Sequence, residues 1–161
     1  MDEDLDEFKR LLDFTIEKIN RVVKEIDEEE RKRTIKIAES FSSELPELSK
    51  SLKELISKKP RARMYVTGDG SVVLRYRGEA YEQSYILNFK CKEKRCRVRG
   101  IIKTSGDERS LRKLREELRE YGCKTIDSQI CKEEYCTANI NIKCFMDTEK
   151  FADFIDKILK R

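Results

Sequence analysis

The chain contains no histidine and no tryptophan. Without histidine, a cysteine or serine nucleophile lacks its usual base, and a metal site lacks its commonest nitrogen ligand. No glycine-rich phosphate loop, no Gly-x-Ser-x-Gly and no His-Glu-x-x-His is present. Carboxylates are plentiful, but they sit in charged helical runs where a solvated face is the ordinary role. The sequence predicts a protein that is not an enzyme and needs no cofactor.

Long apolar runs are missing too. Nothing approaches the roughly 18 to 20 residues of a membrane span, and the acidic start Met1-Asp2-Glu3-Asp4 lacks the basic-then-apolar plan of a signal peptide. A cytoplasmic protein without a membrane partner is expected.

What the chain has in abundance is charge. Asp, Glu, Lys and Arg make up 42% of its 161 residues, with few glutamines. This is the composition of a hyperthermophile's ion-paired surface, and it points to an archaeon or a virus of one as the source. The length suffices for one ordinary domain, or for a small domain with a helical appendage. The net charge of +4 conceals a partition. Residues 1–57 carry 11 basic against 16 acidic side chains, residues 58–103 carry 13 against 4, and residues 104–161 carry 12 against 12. The basic surplus thus lies wholly in the middle segment, as a polyanion-binding surface requires. The expected division is an acidic helical segment over 1–57 and a basic α+β domain over 58–161.

Leu5, Phe8, Leu12, Ile19, Val22 and Ile26 recur at a/d spacing, widened by Leu11, Ile16 and Val23. Residues 3–30 therefore read as a long amphipathic helix. Its heptads suit a coiled coil, hence a homodimer, and equally suit packing on the chain's own sheet. A second helical stretch carries Ile35, Ile37, Ala38 and Phe41. A third begins near Pro46 with Leu48, Leu52, Leu55 and Ile56, and Pro60 ends the helical part.

From there the period becomes two. Strands over 61–67 and 71–77, joined by Gly68-Asp69-Gly70, place Arg63 opposite Arg75 and Arg61 opposite Arg77, with Tyr65 on the same face. Met64 and Leu74 fall on the other. Strands over 82–91 and 96–104 flank a turn at 92–95, so that Lys90 meets Arg97, Asn88 meets Arg99 and Ile86 meets Ile101. A short loop around Gly78 joins the hairpins, with Arg77 opposite Glu82 and Leu74 opposite Tyr85. Ser105-Gly106-Asp107-Glu108 has the form of a capping box for a helix striped by Leu111, Leu114 and Leu118. A hairpin over 123–131 and 136–146 then precedes a final helix capped by Asp147. The expected architecture is α+β: N-terminal helices, a four-stranded antiparallel meander, a helix, a β-hairpin and a C-terminal helix. Two hairpin-then-helix units, each with a Cys-x4-Cys turn, suggest an internal duplication.

The same registers oppose Cys91 to Cys96, Cys131 to Cys136 and Cys123 to Cys144. Structural disulfides are feasible if these are non-hydrogen-bonded sites, which turn type decides. Buried thiols, or a metal site of Cys91, Cys96, Cys131 and Cys136, are the alternatives, and metal sites prefer Cys-x2-Cys knuckles. The expectation is disulfides and no metal.

Like charges opposed across strands destabilise a sheet unless something anionic lies over them. Arg61, Arg63, Arg75, Arg77, Lys90, Arg97, Arg99 and Lys103, with Tyr65, Ile86 and Ile101 among them, read as a surface for nucleic acid. Lys124, Ser128, Asn139, Asn141 and Lys143 of the last hairpin could extend it. Arginine-rich cations over a flat apolar floor suit single-stranded DNA or RNA, with little sequence specificity. The competing expectation is an assembly protein that oligomerises through its N-terminal helix and meets an acidic partner.

Overall fold

The computed structural model describes residues 2–78 and 83–161. Its elements are α1 (Asp2–Ser40), α2 (Pro46–Lys58), β1 (Arg63–Val66), β2 (Val72–Arg77), β3 (Ser84–Lys92), β4 (Arg95–Gly106), α3 (Glu108–Glu120), β5 (Cys123–Lys132), β6 (Tyr135–Asp147) and α4 (Thr148–Phe154), the last continued by a π-helical turn over Ile155–Leu159. Two compact units result, Met1–Arg33 and Thr34–Arg161. Charge divides the sequence near 57, whereas packing divides it at 33. The two boundaries differ because charge records the surface and packing records the core.

α1 is one helix where the sequence suggested two stretches, since no glycine or proline interrupts residues 2–40. Its part within the second unit buries Thr34 and Ala38. The Thr34 hydroxyl accepts from the Met64 amide at 3.1 Å, and Ser49 Oγ donates to the Ala38 carbonyl at 2.7 Å. α2 starts on Pro46 as expected and buries Leu48, Leu52, Leu55 and Ile56.

The class is α+β, as expected, but the meander is not a sheet of its own. All six strands form one antiparallel sheet in the order β1-β2-β3-β4-β6-β5. A four-stranded meander would leave the twelve residues of β4 as an unpaired edge, and β6 covers it from Arg95↔Asp147 to Gly106↔Cys136. The registers within each hairpin agree with the sequence: Arg63↔Arg75, Lys90↔Arg97 and Cys123↔Cys144. The β2–β3 register is two residues away from the expected one. Arg77 faces Ser84 and Leu74 faces Leu87, while Glu82 lies outside the described residues. A shift of two leaves every side chain on its face. The capping box also moves: β4 runs through Ser105, and Asp107 caps α3 by accepting from the Ser110 amide at 2.6 Å.

Alternation sends one side of the sheet into the core. Met64, Leu74, Leu87, Phe89, Val98, Ile102, Ile140 and Ile142 meet the leucines of α2 and α3 and Phe151, Phe154 and Ile155 of the last helix. Gly100 sits in this layer because a Cβ there would collide with the Ile86 carbonyl oxygen and lie 2.8 Å from Leu87 Cα.

The two hairpin-then-helix units share one plan. β3-β4-α3 and β5-β6-α4 repeat one plan with equivalent positions 40 residues apart: Cys91 and Cys131, Cys96 and Cys136, Asp107 and Asp147, Leu111 and Phe151. The antiparallel β4–β6 pair is self-consistent under their exchange, with Ile101 and Asn141 at its centre.

All six cysteines are paired as the registers require: Cys91–Cys96, Cys123–Cys144 and Cys131–Cys136. Turn type explains why. Glu93 and Lys94 both have positive φ (54° and 63°), and Glu133 has φ 58°, so two-residue loops close both hairpins. Lys92↔Arg95 and Lys132↔Tyr135 are then the hydrogen-bonded closing pairs. The next pair inward is a non-hydrogen-bonded site, where side chains come closest. Cys123↔Cys144 lies eight residues further along and shares that phase.

Cross-linking restricts the unfolded chain more when it closes a longer loop. Cys123→Ala with Cys144→Ala should therefore lower the unfolding free energy by about 3 kcal/mol, against about 2 kcal/mol for the pair Cys131→Ala and Cys136→Ala. Urea denaturation measures both, and a larger loss from the tip pair would contradict this account.

Candidate nucleic-acid interface

The other side of the sheet is largely open, with Val73 buried and Asn88 half-buried, and its side chains stand in rows across the strands. One row runs Tyr65, Val73, Asn88, Arg99, Lys143, Lys124 from β1 to β5. The next runs Arg63, Arg75, Ile86, Ile101, Asn141, Ile126, and a third runs Arg77, Ser84, Lys103, Asn139, Ser128. Toward the β3–β4 turn come Lys90, Arg97 and Phe145, then Lys92, Arg95 and Asp147. Neighbours within a row stand about 4.8 Å apart, and rows repeat every ~6.7 Å along the strands. The result is a lattice of like charges with apolar groups between them.

Arg75, Arg77, Lys90, Arg99, Lys103, Lys124, Ser128, Asn139, Asn141 and Lys143 are exposed, and Arg97 is half-buried. Two expected members differ. Arg61 precedes β1 and is not in the ladder, because the strand begins at Arg63. Arg63 is half-buried and donates from one guanidinium nitrogen to the carbonyls of Pro60 at 2.6 Å and Ala62 at 2.9 Å. The local backbone claims that guanidinium.

Two of the carboxylates that border the face, Asp147 and Asp69, are occupied. Asp147 accepts from the Lys150 amide at 2.7 Å and caps α4. Asp69, in the β1–β2 turn, accepts from the Thr67 hydroxyl, the Ser71 hydroxyl and the Ser71 amide, which holds it well below the usual carboxylate range. The carbonyl of Asp69 accepts from Lys90 Nζ at 2.7 Å. That bond steadies the lysine at the rim of the face. On the helical side, Asp127 of edge strand β5 pairs with Arg115 of α3 at 2.6 Å. An inward charge of this kind blunts an edge strand against pairing with another sheet.

Sequence reasoning missed Phe145, 68% exposed, beside Arg97, and Ile126, 78% exposed, across Asn141 from Ile101. It also missed Lys92, Arg95 and Lys132. The signal was available in β6, where thirteen residues alternate without a break between exposed and buried. So long an alternation marks a strand with one face in the core and the other in solvent along its whole length, which places Phe145 on the open side. Among the described residues, no group of three or more His, Cys, Asp or Glu side chains could hold a metal ion, and no helix is long and apolar enough to cross a membrane. Comparison with known protein families, with curated proteins and with solved structures finds no match.

Arg99, Lys143 and Lys124 stand side by side across β4, β6 and β5. A carboxylate in the middle should relieve their repulsion. Lys143→Glu is expected to raise the stability of the unliganded protein by about 1 kcal/mol at low salt, and the gain should shrink as salt screens the charges. Chemical denaturation at two ionic strengths measures it, and a destabilised variant would contradict the account.

Proposed function

We propose that the open face of the sheet binds nucleic acid, single-stranded DNA or RNA, with little sequence preference. The observation that carries this reading is the like-charge lattice: cations are opposed to cations across β3, β4, β6 and β5, and the carboxylates of Asp69 and Asp147 at its margin are already engaged. Such crowding costs stability in the free protein, and a polyanion laid over it recovers that cost.

The mixture of groups narrows the class. Arginine predominates over lysine on β2 and β4, and its planar fork grips phosphate oxygens in pairs and stacks on flat rings. Ile86, Ile101 and Phe145 lie among the charges and offer surfaces for unstacked bases, at about 1–3 kcal/mol per base for an aromatic platform. In a duplex the base faces are already stacked on each other. The helices of the second unit bury their apolar stripes against the opposite side of the sheet, so this face offers no helix to a major groove. Contacts through phosphate and base faces carry little sequence information.

Titration of labelled single-stranded oligonucleotides against salt tests the reading. The logarithm of the affinity should fall linearly with the logarithm of salt concentration, with a slope of about −4 if some six phosphates are neutralised. Arg75→Glu combined with Arg97→Glu should weaken binding at least ~100-fold at low salt and leave the protein folded. Failure to bind any oligonucleotide at low salt would overturn the reading and leave an acidic protein as the partner.

A further inference from the structure

The first unit carries an exposed apolar surface. Every described side chain from Asp2 to Arg33 is exposed. At 3.6 residues per turn, Leu5, Phe8, Leu11, Leu12, Ile16, Ile19, Val22, Val23 and Ile26 fall within an arc of about 140°. Between residues 5 and 26 that arc holds one polar side chain, Thr15, whose hydroxyl is turned back to donate to the Leu11 carbonyl at 2.8 Å. The nine apolar residues are each 47–66% exposed.

We infer that this stripe is the contact between copies of the chain, which associate through a bundle of their α1 helices. The area is the first argument. Nine side chains, each showing on the order of 100 Å², present roughly 900 Å², above the ~300–600 Å² patch that a monomer ordinarily leaves open and close to the ~800 Å² per partner of a stable interface. The second argument is width. A two-stranded coiled coil uses a narrow a/d seam, whereas Leu11 at g and Ile16 and Val23 at e broaden this one into the face of a helical bundle.

The third argument is charge, and it selects the occupant. One margin of the stripe carries Glu7, Lys18 and Glu25, and the other carries Lys9, Asp13 and Asp27. Both margins therefore mix signs, which suits a second copy of the same helix. A helix built to lie on an anionic membrane carries a basic margin, and one built for a strongly charged partner carries a single sign.

Sedimentation velocity of the full-length protein in about 1 M salt tests the inference, since at that ionic strength the charged face is screened and nucleic acid dissociates. Expected is a species of at least twice the 19.1 kDa chain mass, with dissociation on dilution. Leu12→Asp with Ile19→Asp should give the monomer. Phe14→Asp, outside the arc, should remain associated. Near-UV circular dichroism of the buried tyrosines Tyr85 and Tyr121 reports whether Thr34–Arg161 stays folded in each variant. A wild-type protein that sediments as monomer throughout, or a folded Leu12→Asp/Ile19→Asp protein that stays associated, overturns the inference. So does a monomer that floats with neutral phosphatidylcholine vesicles, which would assign the stripe to lipid.

Discussion

Repulsion among opposed cations on the open face is the force against which the second unit is built. Lys90 faces Arg97, and Arg99 faces Lys143, which faces Lys124. Left to itself, that face would splay the strands or slide them to a register that separates the charges. The opposite side prevents both. A slip of one residue would carry Leu87, Val98, Ile140 and Ile142 out of the core and into water. Three disulfides lock the hairpins in the same phase, so the core side of the sheet dictates where the open side must hold its charges.

What the sequence revealed follows from the range of the interactions that decide each feature. Registers within a hairpin depend on a turn a few residues away, and the cysteine pairs, the Arg63–Arg75 pair and the sorting of faces were all legible on that scale. The β2–β3 register is not set by a tight turn of that kind, and the pairing there is two residues away from the expected one with the faces kept. The β4–β6 pairing joins segments separated by α3 and β5, and no local turn announces it. Phe145 and Ile126 belong to the face only through that pairing, which is why they were not seen beforehand. Ser105 and Glu108 match a capping box, but strand pairing of Ser105 with Thr137 prevails and passes the cap to Asp107.

The internal repeat separates what folding demands from what it leaves free. Positions 40 residues apart keep their chemistry where they serve the fold: cysteine for cysteine at the turns, aspartate for aspartate at the caps, apolar for apolar in the helices. On the open face Lys103 and Lys143 correspond, as do Ile86 and Ile126, but Arg97 and Arg99 have Thr137 and Asn139 as their counterparts. The fold accepts either set. The concentration of arginine on one half of the sheet is therefore not something the architecture requires, and a binding surface is the physical reason we assign to it.

The most direct test of that assignment is the footprint of an oligonucleotide on the folded protein. Backbone amide NMR shifts, followed as a short single strand is added, should move along β2, β3, β4 and β6 where Arg75, Lys90, Arg99, Lys103 and Lys143 stand, and hold steady in α2 and α4. Shifts centred on those helices, or no shifts at low salt, would contradict the account.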